Sequence, residues 1–270
     1  MFPFIIITDQ IKIPLYGLLF LIGFFVAVFI GRKIAPYFHG TKEDTTYAAA
    51  YAAIGILVGA KLVYFFTKLP TIINRFDAFT RLFRESPLRA LEYAFGGFVF
   101  YGGLIGAVLA VWIYCRQYKE PFIPLLDIFA PLIPLVHGFG RIGCFCSGCC
   151  YGIEYHGFGA VQFPRNEIIP ELSQVPRVPV QLIEAGLNFI VFAVLLYIGL
   201  KGFCKAGQMM GIYLLYYTIA RFFLEMLRGD GIRGKVGFFS TSQMISLLLI
   251  PIAVYLLTGR LGKKLTETKK

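Results

Sequence analysis

Charge is what this 270-residue chain has least of: only 15% of its residues are Asp, Glu, Lys or Arg, and acidic groups number 15 in all. So little charge excludes an ordinary soluble domain, which needs a polar surface. Six cysteines are too few for the length to make a disulfide-stapled secreted module. The abundance of apolar and aromatic residues, 57% and 17%, excludes a disordered chain, and no heptad pattern suggests a coiled coil. Mean hydropathy is +0.71. What remains is an integral membrane protein. The net charge of +11 would suit nucleic acid in a polar chain, but in so apolar a chain it points to loops beside anionic lipid.

A helix needs roughly 20 apolar residues to cross the hydrocarbon core. Seven such runs are present: Ile13 to Gly31, Tyr47 to Phe66, Phe95 to Cys115, Phe122 to Cys146, Gln181 to Leu200, Met209 to Leu227 and Thr241 to Thr258. None alternates as a barrel strand does, so the expected fold is all-α, a polytopic bundle of seven transmembrane helices in one membrane domain over 1–270. Met1 to Ile7 lacks a basic flank and a cleavage site and reads as an interfacial segment. Loops are expected at 67–94 and 147–180. Within the first, Phe76, Phe79, Leu82 and Phe83 recur at helical spacing, as in an amphipathic surface helix or a solvated loop. The short basic loops on one side and the tail carrying Arg260, Lys263, Lys264, Lys269 and Lys270 favour an external N-terminus and a cytoplasmic C-terminus.

Ionisable groups inside apolar spans are costly and point to function. Those singled out are Lys61, His137, Arg141, Glu184, Arg221 and Glu225, with Arg228 at a span end. Alternation of helix direction places them, with Tyr16, Tyr101 and Gln181, on one side of the membrane, the outer leaflet in this orientation. Arg221 and Glu225 are four apart and share a helical face. A guanidinium oriented by a carboxylate keeps part of its fork for an oxyanion, and phosphate is the obvious partner of several arginines in a dry site. For Lys61 alone, snorkelling to the interface is the simpler reading.

Glycines recur at Gly138, Gly140, Gly143, Gly148 and Gly152, and Gly102 and Gly106 have the spacing of close helix contact. Cys144, Cys146, Cys149 and Cys150 suggest a metal site less strongly than a disulfide or plain packing, because no second cysteine pair accompanies them.

Several segments together resemble the motifs of bacterial prolipoprotein diacylglyceryl transferase: Tyr101-Gly-Gly-Leu-Ile-Gly106, Gly140-Arg141-Ile-Gly143 through Gly152, Pro179-x-Gln181-x-x-Glu184, and Arg221-Phe-Phe-x-Glu225-x-x-Arg228-x-Asp230. Leu15-Tyr16-Gly17 and Gly59-Ala-Lys61-Leu-Val-Tyr64 follow the same pattern. The resemblance implies a seven-span inner-membrane enzyme that moves the diacylglyceryl group of phosphatidylglycerol onto the lipobox cysteine of a prolipoprotein signal peptide and releases glycerol phosphate. It implies catalytic roles for Arg141 and Arg221 and no metal or redox cofactor. Tyr101 stands where the family commonly has His, Cys144 where it has Asn and Cys149 where it has Glu, while Val178 and Val180 flank Pro179 in place of His and Ser. His137, on the same face as Arg141, is then a candidate base beside Tyr101. Tyr16, Lys61, Gly102, Gly103, Gly140, Gly143, Gly152, Gln181, Glu184, Tyr217, Glu225 and Arg228 are the expected substrate-binding residues. A paralogue with another acceptor and a transporter of an anionic lipid are the alternative functions.

Overall fold

The computed structural model describes residues 4–8, 11–38, 40–164, 175–230, 235–236 and 238–260. The basic tail beyond Arg260 and the middle of the 147–180 loop lie outside them. The described chain is mostly helical, and each of the seven apolar runs coincides with a helix: α1 (Leu15–Ile34), α2 (Lys42–Asn74), α5 (Phe100–Tyr118), α6 (Phe122–Ser147), α7 (Val180–Leu200), α8 (Gln208–Met226) and α9 (Thr241–Leu257). Two short helices, α3 (Phe76–Glu85) and α4 (Pro87–Phe95), lie between α2 and α5.

Length and composition make four segments able to cross a membrane: α1 with the 3-10 turn that follows it, α2, α6 and α7. The pair α4 and α5, bent by 83°, makes a fifth if counted as one span. The other two apolar runs fall short for local reasons. Helix α8 carries Arg221 and Glu225, and the 17 residues of α9 rise about 26 Å, under the roughly 30 Å of the hydrocarbon core.

The mostly helical chain expected from the sequence also carries a few short strands. Among the described residues are three antiparallel two-stranded ribbons, β1 (Phe4–Thr8) with β2 (Ile11–Pro14), β3 (Val161–Gln162) with β4 (Pro176–Arg177), and β5 (Lys235–Val236) with β6 (Phe239–Ser240). The first begins in the segment read as interfacial and delays α1 to Leu15. The loop expected at 67–94 is also helical: α2 continues to Asn74, and α3 and α4 follow. Phe76 and Phe83 of α3 are exposed, as an amphipathic helix lying at an interface would leave them.

By internal contacts the chain divides into two compact units, Lys42–Phe122 and the remainder, Met1–Thr41 with Ile123–Lys270. The smaller unit is built on α2 against α5. A Cβ on Gly55 would strike the Gly106 carbonyl oxygen, one on Gly59 the Gly102 carbonyl, and one on Gly106 the Gly55 carbonyl. Backbones this close require residues without side chains, so the small-residue spacing of Gly102 and Gly106 serves helix contact. Gly106→Val is expected to destabilise this unit by roughly 1–3 kcal/mol or more, read as a lowered melting temperature in detergent; Leu104→Val, at an exposed position of α5, is the control.

In the larger unit α6, α7, α8 and α9 share a core of Ala130, Leu195, Met209, Met210, Tyr213 and Leu256. Asp127 of α6 is buried and accepts hydrogen bonds from the backbone N–H groups of Gly207 at 2.5 Å and Met210 at 3.0 Å. These are the first donors of α8, left orphaned by the helix geometry, and no side chain of Gly207 can cap them. Asp127 thus fixes the start of α8 against α6, setting where Arg221 falls. At α9, Ser240 and Gln243 form a reciprocal capping box.

Candidate functional site

The site grows from a four-residue spacing on α6. His137 and Arg141 lie one turn apart, and the Arg141 Nε–H donates to His137 Nε2 at 3.2 Å. Glu184, in the first turns of α7, meets both: Oε1 stands 3.3 Å from His137 Nε2 and Oε2 3.0 Å from Arg141 Nε. The Glu184 side chain is only 4% exposed, so it has left water to hold these two groups. One imidazole nitrogen cannot accept from Arg141 and donate to Glu184 at once. An Nε2 without hydrogen accepts from the guanidinium, and an Nε2–H donates to the carboxylate.

Small residues let α6 be approached. A Cβ on Gly143 would lie 2.9 Å from Tyr16 Cα, and one on Gly23 of α1 would lie 2.7 Å from Phe139 Cβ. On Gly140 the nearest atom would be Phe20 Cδ2 at 3.8 Å, leaving the face beside Arg141 uncrowded.

Helix α8 supplies the second arginine. Arg221 Nη2 contacts Glu225 Oε2 at 2.6 Å, with both side chains under 9% exposed, and donates to Ser242 Oγ at the start of α9 at 3.1 Å. His137, Glu184, Asn188, Tyr216, Tyr217 and Arg221 line a small pocket of about 10 Å³. That is room for about one water-sized group between the three helices. Three helices thus place one cation, one histidine and one carboxylate around a single small space, as required to hold an anion whose charge increases.

A third cation closes the end of this unit. Arg228 is held bidentately by Asp230, at 2.8 and 2.6 Å. Its backbone bridges to Gly152, and the Gly229 N–H donates to the Tyr151 carbonyl at 3.0 Å. A Cβ on Gly152 would strike the Val178 carbonyl oxygen. The two motif ends, 151–153 and 227–229, are therefore laced together by main-chain bonds. Buried Gln181 of α7 donates to the Cys149 carbonyl at 2.8 Å and ties in the turn before them.

Residues 3–258 match the family described as prolipoprotein diacylglyceryl transferase. The chain belongs to this family. Among its relatives, a phosphatidylglycerol–prolipoprotein diacylglyceryl transferase 2 of Clostridium perfringens is 34% identical over 263 residues, covering 96% of each chain. Proteins of the same name without the numeral, from Clostridium tetani and Rickettsia felis, are 32% and 31% identical over 91% and 94% of this chain and 92% and 95% of their own.

In this prolipoprotein diacylglyceryl transferase family member, the remaining expected site residues sit in the smaller unit. Lys61 donates to the Phe95 carbonyl at 2.9 Å and lies 4.6 Å over the Phe98 ring. That is a packed and satisfied ammonium, more than a snorkelling one. Gly102 faces Val63, and Gly103 faces Ile56 and Ala60, all on α2. Tyr101 is half-buried, its ring edge-on to Phe100.

Four contributors escaped the sequence reading. Asn188, four residues after Glu184, lines the pocket with its Oδ1 buried and without a hydrogen-bond partner. Its signal was an amide in an apolar run, overlooked because only ionisable groups were weighed. Ser242 and Arg177 gave no signal, since their partners are distant in sequence; Arg177 stacks 4.7 Å over Tyr151 and donates to the Gly152 carbonyl at 3.3 Å. Asp127 was visible as an acid in an apolar run, and its role is helix capping.

No disulfide joins the six cysteines in this structure. Cys144, Cys149 and Cys150 nonetheless gather, their sulfurs all within 4.8 Å of one another. Hydrogen bonds with the Cys144 and Cys149 thiols hold the Cys150 thiol below its ordinary pKa, and the charge and hydrogen bond of Arg228 add to this against the effect of burial.

Proposed function

We propose that the chain transfers the diacylglyceryl group of phosphatidylglycerol to the lipobox cysteine thiol of prolipoproteins, forming a thioether and releasing glycerol phosphate, the first step of bacterial lipoprotein maturation. What carries this reading is Arg141, held by His137 and Glu184 inside an apolar helix, in a chain that belongs to the prolipoprotein diacylglyceryl transferase family from residue 3 to 258.

The chemistry follows from the groups present. The acceptor thiolate attacks the glyceryl carbon that bears the phosphate, the carbon–oxygen bond breaks, and the electron pair leaves with the phosphate. Charge on that phosphate rises from a diester to a monoester through the transition state. Preorganised guanidinium groups in a dry site stabilise this change more than the ground state, which is the condition for acceleration. Arg141 and Arg221 take this role. Glu184 and Glu225 orient them, and Asn188, Tyr217 and Arg228 border the headgroup. His137, the imidazole beside Arg141 and Glu184, takes the thiol proton.

The same reading sets the protein in the bacterial inner membrane as one domain of seven spans, with the N-terminus outside and the tail in the cytoplasm. The short α8 and α9 cross beside longer neighbours. Within the larger unit, Tyr16 and Gly140 then border the lipid or the peptide near the outer leaflet, while Gly143, Gly152 and Gln181 hold the backbone around them. Purified protein supplied with phosphatidylglycerol vesicles and a lipobox peptide is expected to release glycerol phosphate in step with peptide lipidation. Absence of both from folded protein would overturn the proposal.

A further inference from the structure

We propose that Cys144, Cys149 and Cys150 form a three-thiolate site for a soft divalent metal of the zinc class, whose fourth position binds the acceptor thiol; the second half of this statement rests on the transferase reading. Three sulfurs mutually within 4.8 Å are close to what a metal requires. Ligands at about 2.3 Å in a tetrahedron stand about 3.8 Å apart, so each sulfur has at most about 1 Å to move.

The backbone is shaped to bring the three together. Cys144 lies one turn before the end of α6, and the chain reverses through Gly148, at φ 71°. Cys150 follows at φ 61°, a left-handed conformation that costs a residue with a Cβ about 1 kcal/mol or more. The Cys149 thiol donates to the Cys144 carbonyl at 3.6 Å, holding the turn against the helix end. Strain at Cys150 persists because the turn is pinned at both ends, by this bond and by Gln181 on the Cys149 carbonyl.

A disulfide uses these groups less well. Adjacent Cys149 and Cys150 have Cα atoms about 3.8 Å apart across a trans peptide, below the ~4.4–6.8 Å of a relaxed disulfide. Pairing either with Cys144 leaves the third sulfur unused. A metal engages all three. Three thiolates and a divalent ion carry one net negative charge, and Arg228 hydrogen-bonds Cys150 while the charge of Arg141 acts on Cys144 and Cys150. Donors to ligand sulfurs are the outer groups that commonly orient and tune such sites. Cys144 is buried and Cys149 and Cys150 are half-buried, so the site has a closed floor and a side open to a further ligand.

That open position suits a thiol acceptor. A thiol coordinated to such a metal loses its proton outright, to His137 in the reaction proposed above, and becomes a nucleophile at neutral pH. The bound sulfur attacks the glyceryl carbon and the phosphate departs with the carbon–oxygen electron pair. The product thioether, a weaker ligand than a thiolate, leaves the metal.

Cobalt(II) is the probe, added to the purified full-length protein. One equivalent is expected to give a thiolate-to-metal charge-transfer absorption that zinc(II) abolishes by displacement, and Cys144→Ser and Cys149→Ser are expected to lose it while melting as wild type does. A lipobox peptide should shift the visible cobalt bands, and the same peptide with serine for cysteine should not. No charge-transfer band, a band retained in both variants, or bands indifferent to the peptide thiol would each overturn the proposal. These readouts need no turnover. Failure of glycerol phosphate release with the spectral responses intact would overturn the transferase reading alone.

Discussion

Replacing Arg141 with alanine is expected to lower glycerol phosphate release by about 10²–10³-fold or more, the cost of removing one preorganised donor from a site of developing negative charge. The expectation rests on position more than on charge count. Arg141 is anchored through Nε to His137 and Glu184, at 3.2 and 3.0 Å, so its Nη groups point onward from a fixed base. Arg141→Lys keeps the charge but replaces the planar fork by a single flexible ammonium, and should recover only a small part of the rate. The measurement is release under saturating phosphatidylglycerol, with helical content and melting temperature as controls for folding. An Arg141→Ala protein that folds and turns over within a fewfold of wild type would remove the arginine from the mechanism.

The second large effect is on stability and separates a catalytic pair from a structural one. Arg221 and Glu225 are in contact at 2.6 Å with almost no exposure. Glu225→Ala strips the guanidinium of this carboxylate in a buried place, and such a change costs about 3–5 kcal/mol. Replacing both, as in Arg221→Met with Glu225→Leu, removes the charge and the need for its partner together, and is expected to return the melting temperature to near wild type. Activity should not return with it, because the cation facing the pocket is gone. Restored activity in the double variant would assign the pair to architecture alone, as in an assembly protein whose buried charges serve only packing. The double-mutant cycle is needed because residues in one network do not contribute additively.

Not all of this was legible in the chain. The seven apolar runs became helices because hydrophobicity over 17 or more residues overrides local propensity, and their bounds differ from expectation by few residues except in α2, where an apolar run ended at Phe66 but helix continued to Asn74. The N-terminal ribbon was missed since Phe4–Thr8 is too short to display alternation against the apolar background. Pairing of Arg221 with Glu225 could be read from spacing, because an α-helix fixes which residues i and i+4 meet. The linkage of His137, Arg141 and Glu184 could not, since Glu184 comes from a different helix. Gly102 was read both as close helix contact, with Gly106, and as a substrate-binding candidate; α2 meets it at backbone distance, and a local pattern cannot tell a lipid from a helix.

The sequence by itself determined that the protein is a helical membrane protein with charges stranded in apolar segments. Solvation alone dictates this: too few polar groups exist to cover a soluble surface, and ions do not enter apolar segments without a reason. Only the tertiary structure decided which of those charges meet. Helix spacing fixes neighbours within one segment, but contacts between α6, α7 and α8 depend on how each is capped and packed, on Asp127 at the start of α8 and on glycines that admit a close backbone. That is why one carboxylate came to hold both a histidine and an arginine, and why three of four cysteines close in sequence share one place.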